Sequence, residues 1–103
     1  MQKNTLLKSD GSREDLPTGP LSLEQMYRAI GCDTVELVQL SPTTELWCDE
    51  NGLYARPLIE NKEGTRLYKL AFPREKMMFP EDHDELRIVG NAILSENVDR
   101  SDE

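Results

Sequence analysis

The stretch LSLEQMYRAIGCDTVELVQLSPTTELWCDENG, residues 21–52, decides the fold, because a helix signal and a hairpin signal follow one another directly. Ser22 is a strong helix N-cap residue. Gln25, three positions on, can return a hydrogen bond to the Ser22 amide and complete a capping box. Leu21 and Met26 stand at the two positions of a hydrophobic staple. Leu23, Met26, Tyr27 and Ile30 follow i, i+3, i+4, i+7 spacing and so share one face. Glu24 and Arg28 pair at i, i+4 towards solvent. Gly31 supplies the left-handed residue that ends the element. The spacing predicts a helix over 22–30. TVELVQL (34–40) is too β-branched and too short for a second helix and reads as a strand. SPTT (41–44) turns the chain, and ELWCDE (45–50) returns as the antiparallel partner. Asn51 and Gly52 are the pair that tight turns prefer.

Outward from this core the signals weaken. LYARPLI (53–59) reads as extended, but Pro57 cannot donate a ladder hydrogen bond, so the piece is an edge or no strand at all. ENKEGTRLYKLAF (60–72) admits two readings. Leu67, Leu70 and Ala71 suit a helical face with Asn61 as its cap, whereas Tyr68, Leu70 and Phe72 alternate as a strand would. Gly64 and Thr65 disfavour the helix, yet a short helix is the preferred reading. PREKMMFPEDHDE (73–85) lies between two prolines and reads as an irregular loop. LRIVGNAIL (86–94) is a strand in which Gly90 marks a bulge or a close backbone approach. SENVDRSDE (95–103) is an acidic tail expected to be disordered. At the other end, NTLLK (4–8) reads as an edge strand and 9–20 as a loop. The predicted class is α+β: one small domain over 1–94, a mainly antiparallel sheet with one or two helices packed on one face, then the tail 95–103.

Composition narrows the function classes. The chain has 103 residues of which 37% are hydrophobic, so it can build one modest core. Twenty acids against 12 bases give a net charge of −8. With no Lys/Arg cluster longer than two or three residues, this charge repels phosphate backbones and argues against nucleic acid as a partner. No apolar run approaches the roughly 20 residues that span a bilayer. MQKNTLLKSDGS (1–12) lacks the apolar centre of a signal peptide. A cytoplasmic protein without membrane contact is expected, and Cys32 and Cys48 are then free thiols.

Each chemically dense stretch has an ordinary structural reading. Aligning Gly52 with the glycine of a calcium loop puts Trp47 and Leu58 where oxygen ligands are needed, so CDENG is a turn and not a metal site. Cys32 and Cys48 are separated by fifteen intervening residues with no second ligand pair for zinc. The hairpin places Cys48 opposite Glu36, leaving Cys32 on the order of 13 Å away at the strand rise, beyond disulfide reach. His83 stands in EDHDE and reads as a solvated loop residue. Met77, Met78 and Phe79 are the oddity. Three large apolar residues in such a loop ordinarily fold back as core cover; left exposed, they form an adaptable partner-binding patch. No phosphate loop, dinucleotide fingerprint or metalloprotease motif occurs, so no catalytic residue, metal or cofactor is assigned and an enzyme is unsupported.

The matches Gly31, Glu36, Asp49, Glu50, Gly52, Asn61, Thr65, Leu67 and Gly90, spread over residues 21–94, carry a resemblance to a family of small domains. That family is found in bacteria, their phages and large algal viruses. Its pattern is a helix ending in a Gly-rich turn, a strand with an acidic position, an acidic turn, an Asn-containing segment, and a last strand with Val-Gly. Cys32 replaces the second glycine of the helix-ending turn, and the loop 73–85 is longer than the pattern. The family's function is unknown, so the resemblance implies a fold and a viral or phage-like setting, not an activity. Two hypotheses follow. The first is a non-enzymatic interaction factor that binds a host or viral protein through Met77, Met78 and Phe79. The alternative is a binder that sequesters a nucleotide, acting as a homo-oligomer, with Arg56, Lys62, Arg66 and Lys69 facing phosphates. A hydrolase ranks below both.

Overall fold

The computed structural model describes residues 1–51 and 59–99. Five strands and two helices alternate along them. Strand β1 is Lys3–Leu7, β2 is Arg13–Asp15, helix α1 is Leu23–Ile30, β3 is Val35–Ser41 and β4 is Thr44–Asp49; helix α2 is Lys62–Ala71 and β5 is Ala92–Glu96. The strands form one antiparallel sheet in the order β2-β1-β5-β4-β3. The class is therefore α+β, as the sequence predicts.

Helix α1 forms for the local reasons its sequence carries. The Gln25 amide donates to Ser22 Oγ (3.1 Å) and the Ser22 amide to Gln25 Oε1 (2.8 Å), closing the capping box. Such a cap stabilises by about 1 kcal/mol. Gly31 adopts φ 83° and its amide donates to Tyr27 O. The buried stripe is rotated from the expected one. Met26 and Ile30 are buried and Ala29 packs beside them, while Leu23 stays 54% exposed. The β3–β4 hairpin has Glu36 opposite Cys48, the expected pairing, reached through a one-residue register shift between Gln39 and Ser41.

Helix α2 resolves the ambiguous segment. Asn61 caps it, its Oδ1 accepting from the Gly64 amide at 2.9 Å. Asn61 Nδ2 also donates to Leu7 O and to Gly90 O, both at 2.8 Å. One buried side chain thus fastens the helix start to the end of β1 and to the turn at Gly90, which takes φ 78°. A Cβ at Gly64 would lie 3.1 Å from the Ile88 side chain, so a larger residue there would make Ile88 give way by a few tenths of an ångström.

Several expectations are corrected. The helices do not share a face. Leu6, Trp47 and Ile93 pack with α1, whereas Leu7, Leu46, Ala92 and Leu94 belong to the opposite core, which Leu67 and Tyr68 of α2 cover. The inner strands are therefore buried on both sides. That is why β5 opens on the continuous apolar run Ala92-Ile93-Leu94 and why β1 buries four residues in succession, Asn4 to Leu7. Strand β1 is not an edge: it lies between β2 and β5. The edge strand β2 falls inside the expected loop 9–20.

The last strand begins at Ala92 and not at 86. Val89 makes only an isolated bridge to Glu60. The strand also continues through Ser95, which is fully buried, to Glu96. Val98 is buried too and its amide donates to Thr43 O, so ordered packing extends past residue 94. The side-chain cause is Asn4. Its Oδ1 accepts from Ser95 Oγ (2.7 Å), and its Nδ2 donates to Pro17 O and Gly19 O. The expected extended piece 53–59 lies, except for Ile59, outside the described residues, as does Gly52.

Candidate functional site

The two thiols are free. Cys48 is buried, with its Sγ 3.8 Å from Glu36 O. Burial, reinforced by the carboxylates of Glu36 and Asp49, pushes its pKa up to about 12. Cys32 is half-buried, and burial followed by Asp49 raises its thiol as well. Both effects disfavour the thiolate, the form that attacks or ligates. Among the described residues no three of His, Cys, Asp and Glu are grouped to hold a metal ion. Asp49 serves the turn, its Oδ1 accepting from the Asn51 amide at 2.9 Å. His83 is half-exposed in a 3₁₀ turn, Pro80–Glu85.

Three of the four candidate phosphate-facing bases lie along α2 at i, i+4, i+7: Lys62, Arg66 and Lys69. Arg56 lies outside the described residues. Arg66 is engaged. Its Nε donates to Glu63 Oε1, while Glu63 Oε2 accepts from Arg13 Nη2 of β2. The hydrogen bond from Arg66, then that from Arg13, holds the Glu63 carboxyl below its ordinary range. This trio ties the sheet edge to the helix. None of the three α2 bases lines the clefts beside Cys32 and Cys48.

Met77, Met78 and Phe79 join two short 3₁₀ turns, Arg74–Lys76 and Pro80–Glu85. The turns are braced across the loop by Arg74 Nη2 and Asp84 Oδ2 at 2.7 Å. Asp84 is lowered by that hydrogen bond and by the Arg74 charge, with a smaller effect from Lys69 of α2. The brace holds the apolar residues at the loop's tip. Met78 is 87% exposed and Phe79 57%, while Met77 is half-buried. Core cover, the ordinary fate of such residues, is not what Met78 and Phe79 do. Leu70 (65% exposed) and Phe72 (40%) are further exposed apolar residues, at the end of α2. Tyr68 supports Phe72 by an edge-to-face ring contact with centroids 5.5 Å apart. The sequence offered no signal for Leu70 and Phe72 as exposed residues, because the helical reading buried Leu70 and the strand reading buried both.

Most residues of the family pattern turn out to be structural. Asn61 and Gly90 share a hydrogen bond. Thr65 Oγ1 accepts from the Ile88 amide at 2.9 Å, and Leu67 packs against the core. Such residues fix the fold and leave the function open. No curated protein and no solved structure matches the chain. Residues 6–103 match the model of a family described as a domain of unknown function, DUF3846. Covering nearly the whole sequence, that match establishes that the chain belongs to this family.

Proposed function

We propose that the protein is a non-enzymatic interaction factor of viral or phage type that docks on a host or viral protein through the tip of its proline-bounded loop. The observation that carries this reading is the exposure of Met78 and Phe79, with Leu70 and Phe72 exposed shortly before them in the chain. These are four large apolar side chains within ten residues of a strongly acidic chain. Exposed apolar residues scattered singly need no explanation, whereas a cluster has a cost in water that partner burial removes. Large side chains at the centre of an interface hold most of its binding energy, and Met adapts its shape to the partner. The carboxylates around the tip (Glu75, Glu81, Asp82, Asp84 and Glu85) steer it towards basic surfaces and quicken association at low salt.

The test is capture from the natural host with wild type and a Met77/Met78/Phe79→Ser variant, with circular dichroism confirming that the variant is folded. A partner held by wild type and lost by the variant is expected. Retention of every partner by the folded variant overturns the reading. Recovery of a bound nucleotide without protein replaces it with the sequestering function, and Arg56, Lys62, Arg66 and Lys69 become the residues to change.

A further inference from the structure

Next to the loop lies a cleft of about 210 Å³ between the β3–β4 hairpin, α2 and the segment 85–89. Its floor is apolar: Val38, Cys48 and Ile88 are buried, with the ring of Tyr68 half-buried beside them. Its rim carries four carboxylates, Glu36, Asp49, Glu50 and Glu85, against the single base Arg87. Among the described residues none of these four carboxylates is engaged in an ion pair. Drug-sized ligands occupy pockets of roughly 300–1,000 Å³. The cleft is smaller than that and has the scale of one long side chain.

We propose that this cleft receives an arginine side chain of the partner that the loop tip engages. The inference rests on the interaction reading above and names the chemistry of its partner. Three observations converge on arginine. An apolar floor accepts an aliphatic stem. An aromatic ring at its side accepts a planar cation stacked on its face. Several carboxylates around one rim suit a guanidinium, whose five N–H donors point in fixed directions, better than a compact ammonium. Tyr68 and Glu36 both line the cleft, and after burial the Glu36 charge contributes to raising the Tyr68 pKa.

The spacing to the apolar tip is set by the chain. The six-residue 3₁₀ turn Pro80–Glu85 is capped by Phe79 and ends on the cleft residue Glu85. At about 2.0 Å per residue it separates them by about 12 Å. An extended partner segment covers that distance in about four residues. The partner therefore presents an arginine about four residues from an apolar contact.

The experiment is an NMR titration of the labelled full chain with the peptide acetyl-Gly-Arg-Gly-amide. The same peptide with citrulline, which keeps the shape and removes the charge, is the control. A lysine peptide forms the third arm. Shifts concentrated at Val38, Cys48, Tyr68 and Ile88 are expected with arginine and absent with citrulline. Glu36→Gln and Glu85→Gln, both at exposed positions, should each weaken binding about two- to five-fold. The Met77/Met78/Phe79→Ser variant should titrate like wild type, which separates failure of the cleft from failure of the loop tip. Equal response to lysine and arginine overturns the choice of guanidinium. Shifts spread over the whole acidic surface, or none at the cleft, overturn the site.

Discussion

Asn61 shows how one residue can hold more of a fold than its local motif suggests. As a cap it accepts from the Gly64 amide; as a donor it satisfies Leu7 O and Gly90 O, in a side chain only 1% exposed. Asn61→Ala removes both roles and takes this donor from the buried bond to Leu7 O, at about 1–3 kcal/mol, and from the part-buried bond to Gly90 O, which costs less, beyond about 1 kcal/mol for the cap. A loss of about 3 kcal/mol in urea unfolding is expected. Asn61→Asp keeps the cap acceptor and removes the donors, so it separates the roles. We expect it to be no more stable than the alanine variant, and a near-wild-type midpoint would show that the cap alone matters. Cys48 gives a prediction of opposite origin, from burial alone. Its folded pKa is raised from 9.0 to about 12, so the folded state holds the thiol proton more tightly than the unfolded one. That contribution is full below pH 9 and is lost as pH rises towards 12. The urea midpoint should fall more steeply from pH 8.5 to 10.5 in wild type than in Cys48→Ala. Parallel slopes for the two proteins would contradict the burial argument.

At the scale of elements, what the sequence reveals is what local interactions decide. Ser22, Gln25 and Gly31 lie within ten residues, and they delimit α1 correctly without knowledge of the rest. The hairpin follows from its own turn, and its register from that turn together with the shift between Gln39 and Ser41. Strand β2 could not be read, because Arg13–Asp15 is three exposed polar residues whose only strand character is pairing to β1. The inner position of β1 rests on contacts such as Asn4 to Ser95, 91 residues apart, which no local pattern reports. The Leu23 stripe failed for a related reason: spacing defines a face, but tertiary packing chooses how far it rotates. Exposure of the loop tip was equally illegible, since Met and Phe between prolines suit cover and display alike. The Arg74–Asp84 pair now makes the display testable. Both side chains are substantially exposed, 49% and 73%, and such pairs contribute little stability, about 0–1 kcal/mol. Asp84→Asn should leave the melting temperature almost unchanged while weakening capture of the partner, because the tip loses its brace. If capture is unaffected, the loop need not be pre-organised to bind.

For the whole molecule, the decisive feature is that three inner strands serve two cores at once. Leu6, Trp47 and Ile93 face α1, while their strand neighbours Leu7, Leu46, Cys48, Ala92 and Leu94 face the α2 side. Neither helix layer can dissolve without exposing residues whose backbones hold the other layer in register. A chain of this length should therefore unfold in one cooperative transition. The single tryptophan makes this measurable, because Trp47 reports from the α1 side only. Leu46→Ala empties a fully buried position on the α2 side. Its cost should be about 2–5 kcal/mol, from lost transfer energy and the remaining cavity. If the layers are coupled through the sheet, the Trp47 fluorescence midpoint in urea falls as far as the far-ultraviolet ellipticity midpoint, although the deletion lies on the other face. Fluorescence that keeps its wild-type midpoint while ellipticity falls would mean that the α1 layer stands alone. The fold would then be two weakly joined halves, and a partner could bind one of them without sensing the other.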